Sequence, residues 1–83
     1  MTGEDATLRG PGPAMSVQKI GETFRVYNHG IEAVCELWSG PQGWEVRLHI
    51  GGELVQSAAC GSRRDVLRTS EAWSSRLNGD GWE

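Results

Sequence analysis

Residues 44–59 read WEVRLHIGGELVQSAA, and this stretch decides the fold. Large apolar residues alternate strictly with polar ones in its first half, at Trp44, Val46, Leu48 and Ile50. This alternation is typical of a strand with one buried face. Gly51–Gly52 then fits a two-residue hairpin turn, because glycine tolerates the positive φ angles that such turns need. The stretch therefore predicts a β-hairpin.

The return strand of this hairpin carries smaller side chains than the strand before it. We expect three cross-strand pairs: Leu48 with Val55, Val46 with Ser57, and Trp44 with Ala59. Paired residues of an antiparallel sheet share a face. Small residues opposite large ones therefore leave room for a helix on that face.

Two more strands are predicted upstream, with a turn at Asn28–His29. In the second of them, one face receives Ile31, Ala33, Cys35 and Leu37, and the other receives Glu32, Val34, Glu36 and Trp38. We expect Glu36 to lie opposite Arg47, because the alternative register places it opposite Glu45 and like charges destabilise a sheet. This register leaves 40–43 as a four-residue loop.

A helix follows the last strand. Ser62 and Asp65 form a capping-box pattern, and Asn78–Gly79 supplies a stop. At helical spacing, one face carries Val66, Leu67, Trp73 and Leu77. The predicted fold is α+β, a three- to four-stranded antiparallel β-meander (about 22–27, 31–38, 44–50 and 53–59) with one C-terminal α-helix (about 63–78) packed on one face.

The chain divides into a tail and one small domain. Residues 1–16 (MTGEDATLRGPGPAMS) are rich in glycine and proline, and we predict a disordered N-terminal tail there. We expect residues 17–83 to form a single small ββββα domain. The sequence shows neither the apolar core of a signal peptide nor a membrane-spanning run. We therefore expect a cytoplasmic protein with two free thiols and no membrane partner.

The charge is mildly acidic. Eight Lys and Arg stand against 11 Asp and Glu, a formal net charge of −3. Proteins that bind nucleic acid through its phosphates usually carry a basic surplus, because charge neutralisation supplies most of the affinity. The balance therefore disfavours nucleic-acid binding.

One helix can cover only one face of the predicted sheet. The uncovered face carries a candidate interaction surface made of Val34, Trp38, Arg47, His49 and Leu54. Tryptophan and arginine are enriched at binding hot spots, and mixed charges around an apolar centre suit a protein interface. We expect a non-enzymatic protein-interaction module that binds another protein or a second copy of itself. The alternative is nucleic-acid binding through the helical arginines Arg63, Arg64 and Arg68.

No catalytic, metal or cofactor site is predicted. Cys60 precedes a helix N-terminus near two arginines, which favours a reactive thiol, but no histidine is expected beside it. Cys35 and His49 are expected on opposite faces, which is unsuitable for a metal. Glu36 and Glu45 would lie on an open sheet rather than in a cleft, so they are poor candidates for acid–base catalysis.

Several segments carry a resemblance. Residues 43–48 (GWEVRL), residues 52–57 (GELVQS) and the helical Glu71-Ala72-Trp73 resemble a group of short uncharacterised bacterial proteins. These proteins have a GWE-hydrophobic-RL strand, a hairpin, a cysteine before a helix and a terminal Gly-Trp. Cys60 and Gly81-Trp82 fit that pattern, and the resemblance covers about 22–82. It implies a bacterial source and a common fold, and it implies no activity.

Overall fold

Three two-residue turns organise the chain into a meander. A computed structural model describes residues 17–83, so the predicted tail over 1–16 lies outside the described residues. The strands are β1 (Gln18–Asn28), β2 (Ile31–Gly40), β3 (Gly43–Ile50) and β4 (Glu53–Cys60), followed by α1 (Arg63–Gly79). The strands pair antiparallel in the order β1-β2-β3-β4. This confirms the predicted α+β fold.

Two of the turns need positive φ angles at both central residues. His29 and Gly30 have φ of 53° and 79°, and Gly51 and Gly52 have φ of 62° and 86°. Such turns match the right-handed twist of the strands that they join. Because each turn is short, neighbouring strands in the sequence are also neighbours in the sheet.

The core lies between one face of the sheet, here called the inner face, and α1. Its largest fully buried side chains are Cys35, Val46 and Leu48 of the two central strands. The helix contributes four buried residues: Val66, Ser70, Trp73 and Leu77. Trp73 is buried, as the helical pattern predicts. Trp44 was also predicted in the core, but it is half-buried and packs at its margin.

The predicted pairing of β3 with β4 is wrong by one residue. Leu48 pairs with Gln56, Val46 with Ala58, and Trp44 with Cys60. A β-bulge at Val55 causes the shift, because the extra residue moves every later side chain of β4 to the other face. Val55 is consequently 51% exposed instead of facing the helix. Gln56, which the predicted pairing would leave on the uncovered face, lies on the inner face and accepts a hydrogen bond from Arg76.

The pairing of β2 with β3 has the predicted register. Glu36 lies opposite Arg47, and Leu37 lies opposite Val46. The loop is shorter than expected, because Gly40 pairs with Gly43 and leaves only Pro41 and Gln42 between the strands. At the other edge, β1 begins at Gln18, four residues before the predicted start. Irregular pairing over its first half hides the alternation that the prediction requires.

The helix begins and ends nearly where the sequence indicates. Ser62 is the N-cap, and its hydroxyl accepts a hydrogen bond from the Asp65 backbone N–H at 3.1 Å. Trp82 folds back, and its backbone N–H donates to the Leu77 carbonyl at 3.0 Å. The Glu83 N–H then donates to the Tyr27 carbonyl of β1 at 2.9 Å. The terminal residues therefore pack against the core and the β1 edge.

Two residues predicted to face the core are exposed. Ile31 is 48% exposed because it is the first residue of β2, at the end of the sheet. Leu67 is 58% exposed. It lies 100° around the helix from the buried Val66, and so it points along the flank toward Phe24 of β1. Among residues 17–83, no helix is long and apolar enough to span a membrane.

Candidate interaction surface

The sheet face opposite α1, here called the outer face, has no covering element among the described residues. Its side chains follow from the pairing register, since paired residues share a face. They are Lys19, Glu22, Arg25 and Tyr27 of β1; Glu32, Val34, Glu36 and Trp38 of β2; Glu45, Arg47 and His49 of β3; and Leu54, Ser57 and Ala59 of β4. The five predicted interaction residues all lie on this face.

Val34 is the apolar centre of the outer face, yet it is only 7% exposed. It lies between Arg25 on one side and His49 on the other. Arg25 forms ion pairs with Glu22 and Glu32, which hold its side chain against the sheet. Long charged side chains can bury their stems along apolar surface while their heads stay in water. The outer face thus covers its own centre.

Glu36 connects three side chains of the outer face. Its carboxylate lies 3.2 Å from Lys19 Nζ and accepts a hydrogen bond from Trp38 Nε1 at 2.9 Å. His49 Nε2 is 3.2 Å from Oε1, although it is not aligned for a hydrogen bond. Partial desolvation raises the pKa of Glu36, but the hydrogen bonds from Trp38 and Lys19 and the nearby positive charge outweigh it, so the net pKa is lowered.

Trp38 lies at the end of this network, close to the β2–β3 turn. The Arg47 guanidinium stacks over its ring, 4.3 Å from the ring centroid. Arg47 is held there by Glu45, with its Nε donating to Oε1 at 3.0 Å. One ring face of Trp38 is therefore covered by a cation whose position is fixed.

An open groove of about 360 Å³ adjoins Trp38. Trp38, Glu45 and Ala59 line it from the outer face, and Val17, Pro41 and Trp44 close its end. This volume lies near the lower end of the range for small-ligand pockets, roughly 300–1,000 Å³. The groove is large enough for one or two apolar side chains of a partner.

The predicted interaction residues differ in their accessibility. Val34 is buried, Trp38, Arg47 and His49 are half-buried, and Leu54 is 50% exposed. Trp38 and Arg47 touch, whereas His49 lies opposite both Val34 and Leu54 in the sheet. Sequence reasoning missed Lys19 as a partner of Glu36, because the irregular start of β1 does not alternate.

The two cysteines face the inner side, away from this surface. Cys60 is 3% exposed, and its Sγ lies 4.0 Å from the Thr69 hydroxyl. Cys35 Sγ lies 4.0 Å from the Ser70 hydroxyl, and burial raises the pKa of this thiol. Both thiols are free. Within residues 17–83, no cluster of three or more His, Cys, Asp or Glu side chains could hold a metal ion.

The arginines of the nucleic-acid alternative lie on α1, in the layer opposite the outer face. Arg63, Arg64 and Arg68 are all exposed. Arg68 lies 3.7 Å from Asp65, one turn earlier in the helix. They share no surface with Lys19, Arg25 and Arg47, the basic residues of the outer face.

Comparison with known proteins gives no relative to argue from. No protein-family model, no curated protein and no solved structure matches the chain. The function must therefore be inferred from the chemistry of the described surfaces.

Proposed function

We propose that this protein is a small non-enzymatic, cytoplasmic protein-interaction module that binds a partner protein on its outer face at Trp38. The observation that carries this proposal is the combination of an Arg47-stacked Trp38 with an adjoining, mainly apolar groove of about 360 Å³. Aromatic and arginine side chains dominate binding energy at protein interfaces. A partner segment with an exposed apolar side chain matches this lining.

The rigidity of the site supports the proposal. Trp38 is held by its hydrogen bond to Glu36, and Arg47 is held by Glu45. A side chain that is already fixed loses little conformational entropy when a partner binds. The surrounding charges have both signs, which suits a polar interface rim and does not suit a phosphate groove.

A peptide-display selection against the whole chain tests this function. We expect selected peptides to carry a large apolar side chain. Their affinity should fall about tenfold or more in Trp38→Ala, as for a hot-spot residue. Tyr27→Ala is the matched control, since it removes another exposed aromatic of the same face, distant from the groove. The affinity of the Tyr27→Ala variant for the selected peptides should equal that of the unmodified protein.

A second variant guards against a folding defect in Trp38→Ala. Pro41→Asp introduces a charge into the groove lining at a loop position and leaves the core intact. Pro41→Asp should bind the same peptides more weakly than the unmodified protein does, while its circular dichroism spectrum matches that of the unmodified protein. Selected peptides that bind Trp38→Ala and Pro41→Asp at full strength would refute the proposal.

The nucleic-acid alternative has its own test. It relies on Arg63, Arg64 and Arg68 of α1, and binding through phosphates strengthens as salt is lowered. Fluorescence anisotropy with labelled duplex DNA and RNA at low ionic strength would support it if affinity fell in an Arg63→Ala and Arg64→Ala variant. If neither duplex bound at the lowest salt concentration, the nucleic-acid alternative would be excluded.

A further inference from the structure

The two edge strands of the sheet are protected very differently. Along β1, the pairing shifts at Ile20 and Thr23, and three charged side chains occupy its outer face. The terminal Glu83 also donates its N–H to the Tyr27 carbonyl. Irregular pairing, charge and covering segments are the usual devices that stop an edge from pairing with another chain. The β1 edge has all three.

The β4 edge lacks most of these devices. After the bulge at Val55, residues 56–60 pair with β3 in a regular register. Residues 54–60 contain neither a charged residue nor a proline. Ser57 and Ala59 are exposed. In the sheet formed by residues 17–83, β3 is the only strand that pairs with β4, so the other edge of β4 is free there. An uncharged, regular edge of this kind is a template for another strand.

Opposite charges mark the two ends of this edge. Glu53 is its first residue, and Arg63 and Arg64 follow shortly after its last residue. All three side chains are exposed, and none forms an ion pair with another residue in the described part of the chain. The edge therefore has an acidic start and a basic end.

We propose that β4 pairs antiparallel with β4 of a second copy about a two-fold axis near Ala58, joining two sheets into one of eight strands. In this register Ser57 lies opposite Ala59 of the second copy, so only small side chains meet at the centre. Glu53 of each copy comes within reach of Arg63 and Arg64 of the other. A two-fold axis forms this contact twice.

The charges select a second copy and this direction of pairing. A parallel alignment would put Glu53 beside its own equivalent, which is unfavourable. In the antiparallel alignment, Glu53 at one end of each β4 edge meets Arg63 and Arg64 of the second copy, so the charges at both ends are paired. The dimer leaves Trp38 on the outer face of each copy, so it goes beyond the proposed function and does not depend on it.

Analytical ultracentrifugation of the full chain over a concentration series tests the dimer. The proposed interface is formed by one pair of edge strands, and interfaces that bury less than about 1,200 Å² are typical of transient association. We therefore expect a dissociation constant of the dimer on the order of 10–100 µM. Glu53→Arg should weaken the dimer about tenfold or more, as should the pair Arg63→Glu and Arg64→Glu. Combining all three substitutions should restore dimerisation, because the charges are exchanged.

Trp38→Ala separates this proposal from the proposed function, and it should leave the dissociation constant unchanged. A chain that remains monomeric at millimolar concentration would overturn the β4 pairing. The β4 pairing would also be overturned if Glu53→Arg left the dissociation constant unchanged, or if Trp38→Ala abolished the dimer. Restoration by the combined variant cannot arise from a folding defect.

Discussion

The two faces of the sheet are shielded from water by different means. On the inner face, Leu48 is buried beneath α1, which supplies Trp73 and Leu77. On the outer face, Val34 is buried nearly as well without any covering element among the described residues, and its cross-strand neighbours are the long side chains of Arg25 and His49. A sheet face can thus be closed by its own long side chains. The groove beside Trp38 is one place where this closure is incomplete.

The largest effect should come from the inner face. We expect Leu48→Ala to lower the free energy of unfolding by about 2–5 kcal/mol, because it removes a fully buried side chain and leaves a cavity. Urea unfolding followed by circular dichroism measures this. Leu54→Ala is the matched control on the outer face, where half exposure should limit the loss to about 1 kcal/mol. Equal losses in both variants would contradict the comparison.

The second effect concerns the buried centre of the outer face. Val34→Ala should cost about 1–3 kcal/mol, because two buried methyl groups are lost beneath the covering side chains. The same substitution at the exposed Val55 should cost about 0.5 kcal/mol or less. If Val34→Ala were as mild as Val55→Ala, the outer face would not be closed.

The difference between these two valines shows where sequence reasoning succeeds and fails. Alternation and turn chemistry correctly predicted an antiparallel meander and one C-terminal helix, because those signals are local. Val55 was assigned to the wrong face because a bulge inserts one residue, which alternation cannot reveal. Val34 was placed on the correct face, but its burial could not be read from alternation, because it depends on the side chains that the neighbouring strands bring beside it.

The third effect is a pH dependence centred on Glu36. Its pKa is lower in the folded protein than the ordinary value of 4.5. A group with a lowered folded-state pKa adds stability above its unfolded pKa and loses it as pH falls through the folded value. Stability should therefore decrease below about pH 4.5. Glu36→Gln should be less stable at pH 7 and should show a shallower decline in acid; a parallel decline would contradict the role of Glu36.

The smallest effect should come from the cation over Trp38. Arg47→Ala should lower stability by about 0.5–1 kcal/mol, because both partners remain partly in water. It should also change the tryptophan fluorescence of the folded protein, since the Trp38 ring loses its cover. Arg47→Lys is the control that keeps the charge and loses the planar stack. An unchanged spectrum in Arg47→Ala would show that the stack does not persist in solution.

The candidate site was partly predictable for the same reason as the fold. Trp38 and Arg47 were assigned to one face from alternation, and the structure brings them into contact. The groove was not predictable, because it forms where the short Pro41–Gln42 turn meets Val17 and Ala59 from distant parts of the chain. Such a convergence leaves no pattern in any single segment.

The proposed binding role of the Trp38 groove can be tested directly by an NMR titration. The four tryptophans give four indole N–H signals, and only Trp38 belongs to the outer face. On addition of a peptide selected against the unmodified protein, we predict that the Trp38 indole and the Ala59 amide shift, while the Trp73 indole stays in place. Shifts confined to Trp73 and α1, with Trp38 unmoved, would contradict a binding site on the outer face.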